Sequence, residues 1–285
     1  MVTDYWLGTT SGAWATGANW NSTSAPSSDD VLHFHNSAED LAGSDASATT
    51  GIDLHIWQSF TGTFGGDSGT YMQVDCDNVW IGERDYGSPT GSTQIWLNVG
   101  DQANSQTRVL RTATTGADTD LPPVLLKAAH AGADLFVESG KVGVAILPGE
   151  TSTYGDITIG PNNQAEVYIG AGVTLTNLYV LGGKAILRCG ATLVHVEGGE
   201  CRTEGSGAIT TASVYGGKLI ANSTGTITTL NGYGGTADFT QSREPRTITT
   251  TDVWRGFAFK VDPAIVTLTN DPEPQEEMTL TTSAP

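Results

Sequence analysis

The stretch GAITTASVYGG, Gly207 to Gly217, returns 18 residues later as GTITTLNGYGG, Gly225 to Gly235, with 7 of 11 positions identical. A third copy, RTITTTDVWRG, runs from Arg246 to Gly256 and carries Trp254 where the others carry Tyr215 and Tyr233. Two weaker copies precede these: GVTLTNLYVLGG (Gly172 to Gly183) and GATLVHVEGG (Gly190 to Gly199). Glycine pairs close the copies at Gly182-Gly183, Gly198-Gly199, Gly216-Gly217 and Gly234-Gly235, at spacings of 16, 18 and 18 residues. Self-similarity at a short fixed period marks a stacked repeat architecture.

Each copy reads as a short β-branched strand, a Gly-Gly corner, and a second short strand such as Lys184-Ala185-Ile186-Leu187. Glycine lets the chain turn where a Cβ would clash. A unit this small buries no face of its own; stacked at about 4.8 Å per coil, the units bury one continuous core. The reading is therefore all-β: a parallel β-helix, or β-solenoid. Ile209, Ile227 and Ile248 are expected to form one internal ladder, and Tyr215, Tyr233 and Trp254 an aromatic ladder, inside or outside, whose simplest role is packing. Ile169, Leu175, Leu181, Leu187 and Leu193 recur every six residues, as in left-handed hexapeptide helices, but the period fails at Gly199. Coil lengths of 16, 18 and about 21 residues fit an irregular right-handed helix better.

Working outward, the upstream coils read as longer and less regular. Strands are expected at Val31–Phe34, Ile52–Trp57, Tyr71–Val74, Asn78–Gly82, Ile95–Val99, Arg108–Arg111, Val124–Lys127 and Leu135–Val137, between loops rich in Gly, Ser and Asp. Open solenoid ends expose strand edges and need covers. The segment Met1 to Ser28, with Trp6, Trp14 and Trp20, suits the N-terminal one; Ala264 to Thr269 makes a last strand. The acidic, proline-containing run Asp271 to Glu277 has the composition of disorder. Met278 to Thr282 is suited to strand addition on a neighbour, so Met278 and Leu280, with the three tryptophans, are candidate partner contacts. The expected organisation is an N-terminal cap or arm over 1–35, irregular coils over 36–165, regular short coils over 166–270 and a C-terminal arm over 271–285.

Composition narrows the function classes. The 285 residues include 36 glycines, only 15% are charged, and the net charge is −18. Residues 1–120 hold 15 acids against 3 bases, and residues 121–285 hold 16 against 10. Such a field repels phosphates, which argues against nucleic acid and anionic membranes as partners and for solubility, cations or a basic protein. No apolar run reaches the roughly 18 residues of a membrane span. Met1 to Gly8 has neither the basic nor the apolar region of a secretion signal. Three cysteines, Cys76, Cys189 and Cys201, make no disulfide framework and no zinc spacing.

Residues with chemistry to offer are few. Enzymes built on β-helices that cleave polysaccharides use clustered carboxylates, two of them about 5–9.5 Å apart in the hydrolases. Asp75-Cys76-Asp77 is the best candidate, since residues i and i+2 of a strand share a face. Glu83, Arg84 and Asp85 follow, and carboxylate oxygens suit Ca²⁺; a solvated acidic turn explains the same residues more simply. His33 and His35 have the i, i+2 spacing of some metal pairs, with His55 a possible third a coil above; packed or surface imidazoles are the simpler account. No cysteine lies in a basic cluster, and no nucleophile elbow, phosphate loop, dinucleotide fingerprint or EF-hand is present. The expectation is a non-enzymatic protein with no cofactor and no metal, with Asp75 and Asp77 the weak exception.

The opening, Trp6-x-Gly8-x3-Gly12-x-Trp14-x4-Asn19-Trp20 with Pro26, Asp29-Asp30 and Phe34, resembles the start of β-helical surface proteins of bacteria and their phages. These include autotransporter passengers, phage tail spikes and capsid-decorating proteins. The resemblance covers about 35 residues together with the coil character of 165–260. By analogy it implies a structural virion protein on the capsid exterior, decorating or cementing neighbouring copies of the major capsid protein and associating with itself as a homotrimer. The alternatives are a glycan-binding or glycan-cleaving tail spike, with Trp57, Trp80 and Trp96 as groove candidates, and an adhesin at the cell surface.

Overall fold

The computed structural model describes residues 1–8, 12–41, 49–65, 70–84, 94–112, 121–270, 273–274 and 281–282. Among these, the chain winds through two parallel sheets of 14 and 11 strands. Thr3–Tyr5, Val31–Phe34 and Ile52–Trp57 follow one another in the first sheet; from Ile52–Trp57 to Val266–Leu268 the chain alternates, one strand in the first sheet and one in the second, and neighbours within a sheet come from successive coils. This is the β-solenoid that the repeats require.

Register explains the repeats. Ile209 sits beside Ile227 and Ile227 beside Ile248, all three buried. Two longer inward ladders run through the first sheet. One joins Leu32, Leu54, Val79, Thr107, Leu135, Ile157, Leu178, Val194, Ala212, Leu230 and Thr251. The other ends in Val180, Val196, Val214, Gly232 and Val253. Opposite them, the second sheet contributes Val124, Val142, Val167, Ala185, Cys201, Leu219, Ala237 and Phe259. β-Branched side chains fit this role because each packs on its own kind one strand away.

The corners are set by the glycine pairs. The second glycine of each, Gly183, Gly199, Gly217 and Gly235, has φ between +60° and +73°. A Cβ at Gly217 would also lie 2.6 Å from the carbonyl carbon of Gly198 in the coil before. Backbone stacks directly on backbone there, and only glycine satisfies both demands.

The chain itself closes the first end and lengthens the sheets at the other. At the first end Thr3–Tyr5 pairs with Val31–Phe34, and the chain then doubles back. Asn21 exchanges hydrogen bonds with Tyr5 along the outer edge, through its side-chain oxygen at 2.7 Å and its backbone N–H at 3.1 Å. Trp6, Trp14 and Trp20 fold under this flap against Phe34, in a mix of edge-on, tilted and stacked contacts. They are 0–4% exposed: the rings read from the sequence as candidate partner contacts are buried, and they plug the end of the core. At the other end, the stretch expected to be disordered, or to add to a neighbour, contributes Glu273–Pro274 to the first sheet and Thr281–Thr282 to the second. It pairs with its own chain. Met278 and Leu280 lie outside the described residues.

Candidate functional site: the outer face of the first sheet

Outward positions of the first sheet form columns as regular as the inward ones. One column joins Tyr5, His33, His55, Trp80, Arg108, Phe136, Thr158, Tyr179 and His195. Its N-terminal third is a stack of rings: Tyr5 on His33 at 5.0 Å, His33 on His55 at 4.6 Å, His55 on Trp80 at 4.3 Å. His55 does lie one coil above His33, but it pairs with Glu83 at 2.7 Å.

Midway along the column the rings give way to a groove of about 260 Å³ lined by Gln106, Arg108, Asp134, Phe136, Asp156 and Thr158. Asp134 and Asp156 belong to neighbouring strands, whose backbones lie about 4.8 Å apart. Asp134 accepts the backbone N–H of Asp156 at 3.0 Å, and Asp156 accepts the side-chain N–H of Asn177 at 2.8 Å. Burial, and then the charge of Asp156, push the Asp134 carboxyl above the usual range. The Tyr179 hydroxyl is pushed up by burial and by the same two carboxylates. Arg108 supplies the cation and Phe136 an apolar face. Such a groove can hold a polar ligand that offers hydroxyls and a flat apolar side.

Sequence reasoning passed over Asp134 and Asp156. They are 22 residues apart, and only the register unites them. The available signal was phase: each stands immediately before an inward residue of one ladder, Leu135 and Ile157.

The candidates named from sequence are dispersed. Asp75 lies in a corner against Gly100 of the following coil, while Asp77 lies beside Gly51 of the preceding one. The two carboxylates turn to opposite neighbours, which corrects their expected side-by-side placement. Among the described residues no group of three or more His, Cys, Asp or Glu is placed to hold a metal ion. Trp80 joins the ring stack, and Trp57 donates its indole N–H to His33 Nδ1 at 3.1 Å. Trp96 is buried with Tyr71 and Leu125 on the second sheet's outer face. The three do not form one groove. The three cysteines are buried free thiols, and burial pushes each up, Cys189 and Cys201 to about 12. A thiol held protonated is a poor nucleophile.

The Tyr215, Tyr233 and Trp254 ladder lies outside, with centroids 4.5 and 4.3 Å apart, and His195 extends it at 4.7 Å. The rings of His195, Tyr215, Tyr233 and Trp254 stack face to face along the column, while Tyr215 and Tyr233 stay exposed, 48% and 39%. The second sheet carries a charge ladder instead: Lys141, Glu166, Lys184, Glu200 and Lys218 alternate up one column. Glu166 lies 3.6 Å from Lys141 and 3.2 Å from Lys184.

No family model, curated protein or solved structure matches the chain. Among the described residues no helix is long and apolar enough to cross a membrane.

Proposed function

We propose that the protein is a structural subunit of a virion, decorating or cementing its shell through side-to-side contacts. The observation that carries the reading is the pairing of strands from Thr3–Tyr5 to Val266–Leu268 in one sheet, with the N-terminal end plugged by the chain's own tryptophans and the last strands pairing within the chain. A solenoid built this way offers its long faces to partners. Those faces repeat their side chains at one strand spacing and deform little. The acidic surface suits a basic partner, and the capsid protein and a homotrimer remain the partners proposed. The test is cryo-electron microscopy of native particles. Repeated copies lying on a shell support the reading; a projection at a tail tip or a cell-surface location removes it.

The groove at Arg108, Asp134, Phe136 and Asp156 favours a second reading, carbohydrate recognition by a spike-like protein. One aromatic face with flanking carboxylates and a guanidinium suits a saccharide. Glycan-array binding that is lost in Phe136→Ala and in Asp156→Asn supports it, and an array without signal eliminates it.

A further inference from the structure

We propose that the ring stack on the N-terminal coils is an acid-sensitive latch, which holds those coils closed while His33 is neutral and releases them when it is protonated. Neither functional reading above requires it.

The geometry fixes the protonation of His33. Its Nδ1 accepts the indole N–H of Trp57 at 3.1 Å, so Nδ1 bears no hydrogen and Nε2 bears the one proton of the neutral ring. A second proton has to go on Nδ1, where it opposes the indole N–H and breaks the bond that ties Val31–Phe34 to Ile52–Trp57. The charge would also be unmatched. His55, whose ring is stacked 4.6 Å above, already holds the nearest carboxylate, that of Glu83, at 2.7 Å. The titratable groups facing His33 are Tyr5 on the strand before, His35 on its own strand, His55 on the strand after, and Glu83 one coil further. Tyr5 brings no carboxylate, and His35, edge-on to Tyr5 at 5.4 Å, acts against a positive charge on His33. The carboxylate beside the stack is already engaged by His55, so a charge on His33 has no partner of its own.

The direction of titration agrees. Burial first, then the charge of His55, lower the His33 pKa against the raising effect of Glu83. A histidine whose folded pKa lies below its unfolded value, about 6.5, contributes stability that is complete above that value. That stability is lost as pH falls from 6.5 toward the folded pKa, because the open state takes up the proton first. The opening constant of the first coils should then rise by up to about tenfold per pH unit across this window.

The experiment is hydrogen exchange of the full chain followed by mass spectrometry from pH 7.5 to 5, corrected for intrinsic exchange. Segments 29–36 and 52–60 should lose protection below pH 6.5, while 209–232 keeps theirs. In His33→Phe, which keeps a stacked ring without a titrating nitrogen, the pH dependence of the first coils should disappear. Should that variant fail to fold, an NMR titration of the wild-type His33 ring decides: a pKa below 6.5 supports the latch. Equal pH response in all coils, an unchanged response in His33→Phe, or a His33 pKa at or above 6.5 would overturn it.

Discussion

Gly232 occupies a place in an inward ladder where its neighbours above and below are Val253 and Val214. The second repeat therefore differs from the first at this position for a reason outside the repeat. The ring of Phe257 fills the space that a side chain at 232 would need, and Phe257 is itself 4% exposed. Gly232→Val should force that ring off its seat and destabilise the protein by about 2 kcal/mol, the usual cost of overpacking a tight core. Thermal unfolding of the variant checks this, and Gly232→Val combined with Phe257→Ala should recover part of the loss. Ile227→Asp is harsher, placing a carboxylate between Ile209 and Ile248. The expected loss is about 4 kcal/mol, seen as a collapsed or insoluble product. At this scale the sequence displayed the isoleucine ladder openly, because its members share a motif. It hid the Phe257 substitution and the Asp134 and Asp156 pair, because their partners come from other coils at spacings that no repeat announces.

Among the elements, the corners bear the strictest requirement. Gly217→Ala faces a φ of +63° and a Cβ contact of 2.6 Å with backbone. Neither can relax without moving the coil beneath. A loss of about 2 kcal/mol follows, whereas Gly216→Ala, at ordinary φ, avoids the first of the two penalties. Denaturant titration of the pair separates strain from crowding. Strand positions were largely legible: Val31–Phe34, Ile52–Trp57, Val124–Lys127 and Lys184–Leu187 are found as read. The first two are apolar alternations and the last two short apolar runs, all bounded by turn residues, and such patterns survive without tertiary context. The C-terminal strands were not legible. Glu273–Pro274 and Thr281–Thr282 have the composition of a loose tail, and what orders them is the edge offered by Asp252 and Val253 in one sheet and by Lys260 and Val261 in the other. Removing residues 271–285 should therefore leave the core coils folded, lower stability by about 1–2 kcal/mol for the few ladder hydrogen bonds lost, and increase self-association through the bared edges. Light scattering after size exclusion reads both; a truncated chain that stays strictly monodisperse would show that those edges are protected by something else.

For the whole molecule, shape and charge pull against each other. The rod offers long faces that favour lateral packing, yet every copy carries a net charge of −18, and like-charged faces repel. The repulsion is uneven, since residues 1–120 hold 15 acids and only 3 bases while the later coils hold 10 of the 13. Six of those ten later bases, Lys127, Lys141, Lys184, Arg188, Arg202 and Lys218, lie within 4 Å of a carboxylate of the same chain. That reduces the positive charge with which one copy can attract another. Self-association should accordingly depend on screening. Raising ionic strength from about 0.02 M to about 0.5 M shortens the Debye length from roughly 20 Å to about 4 Å, and a homotrimer held by its faces should gain affinity across that range. Contact with a basic partner should do the opposite and weaken, because screening then removes an attraction. Sedimentation equilibrium at the two salt concentrations distinguishes the cases. Association that strengthens with salt supports the trimer as a contact between like faces. A chain that is monomeric in both, yet binds shells only at low salt, places the basic capsid partner first and makes the trimer unnecessary to the structural role.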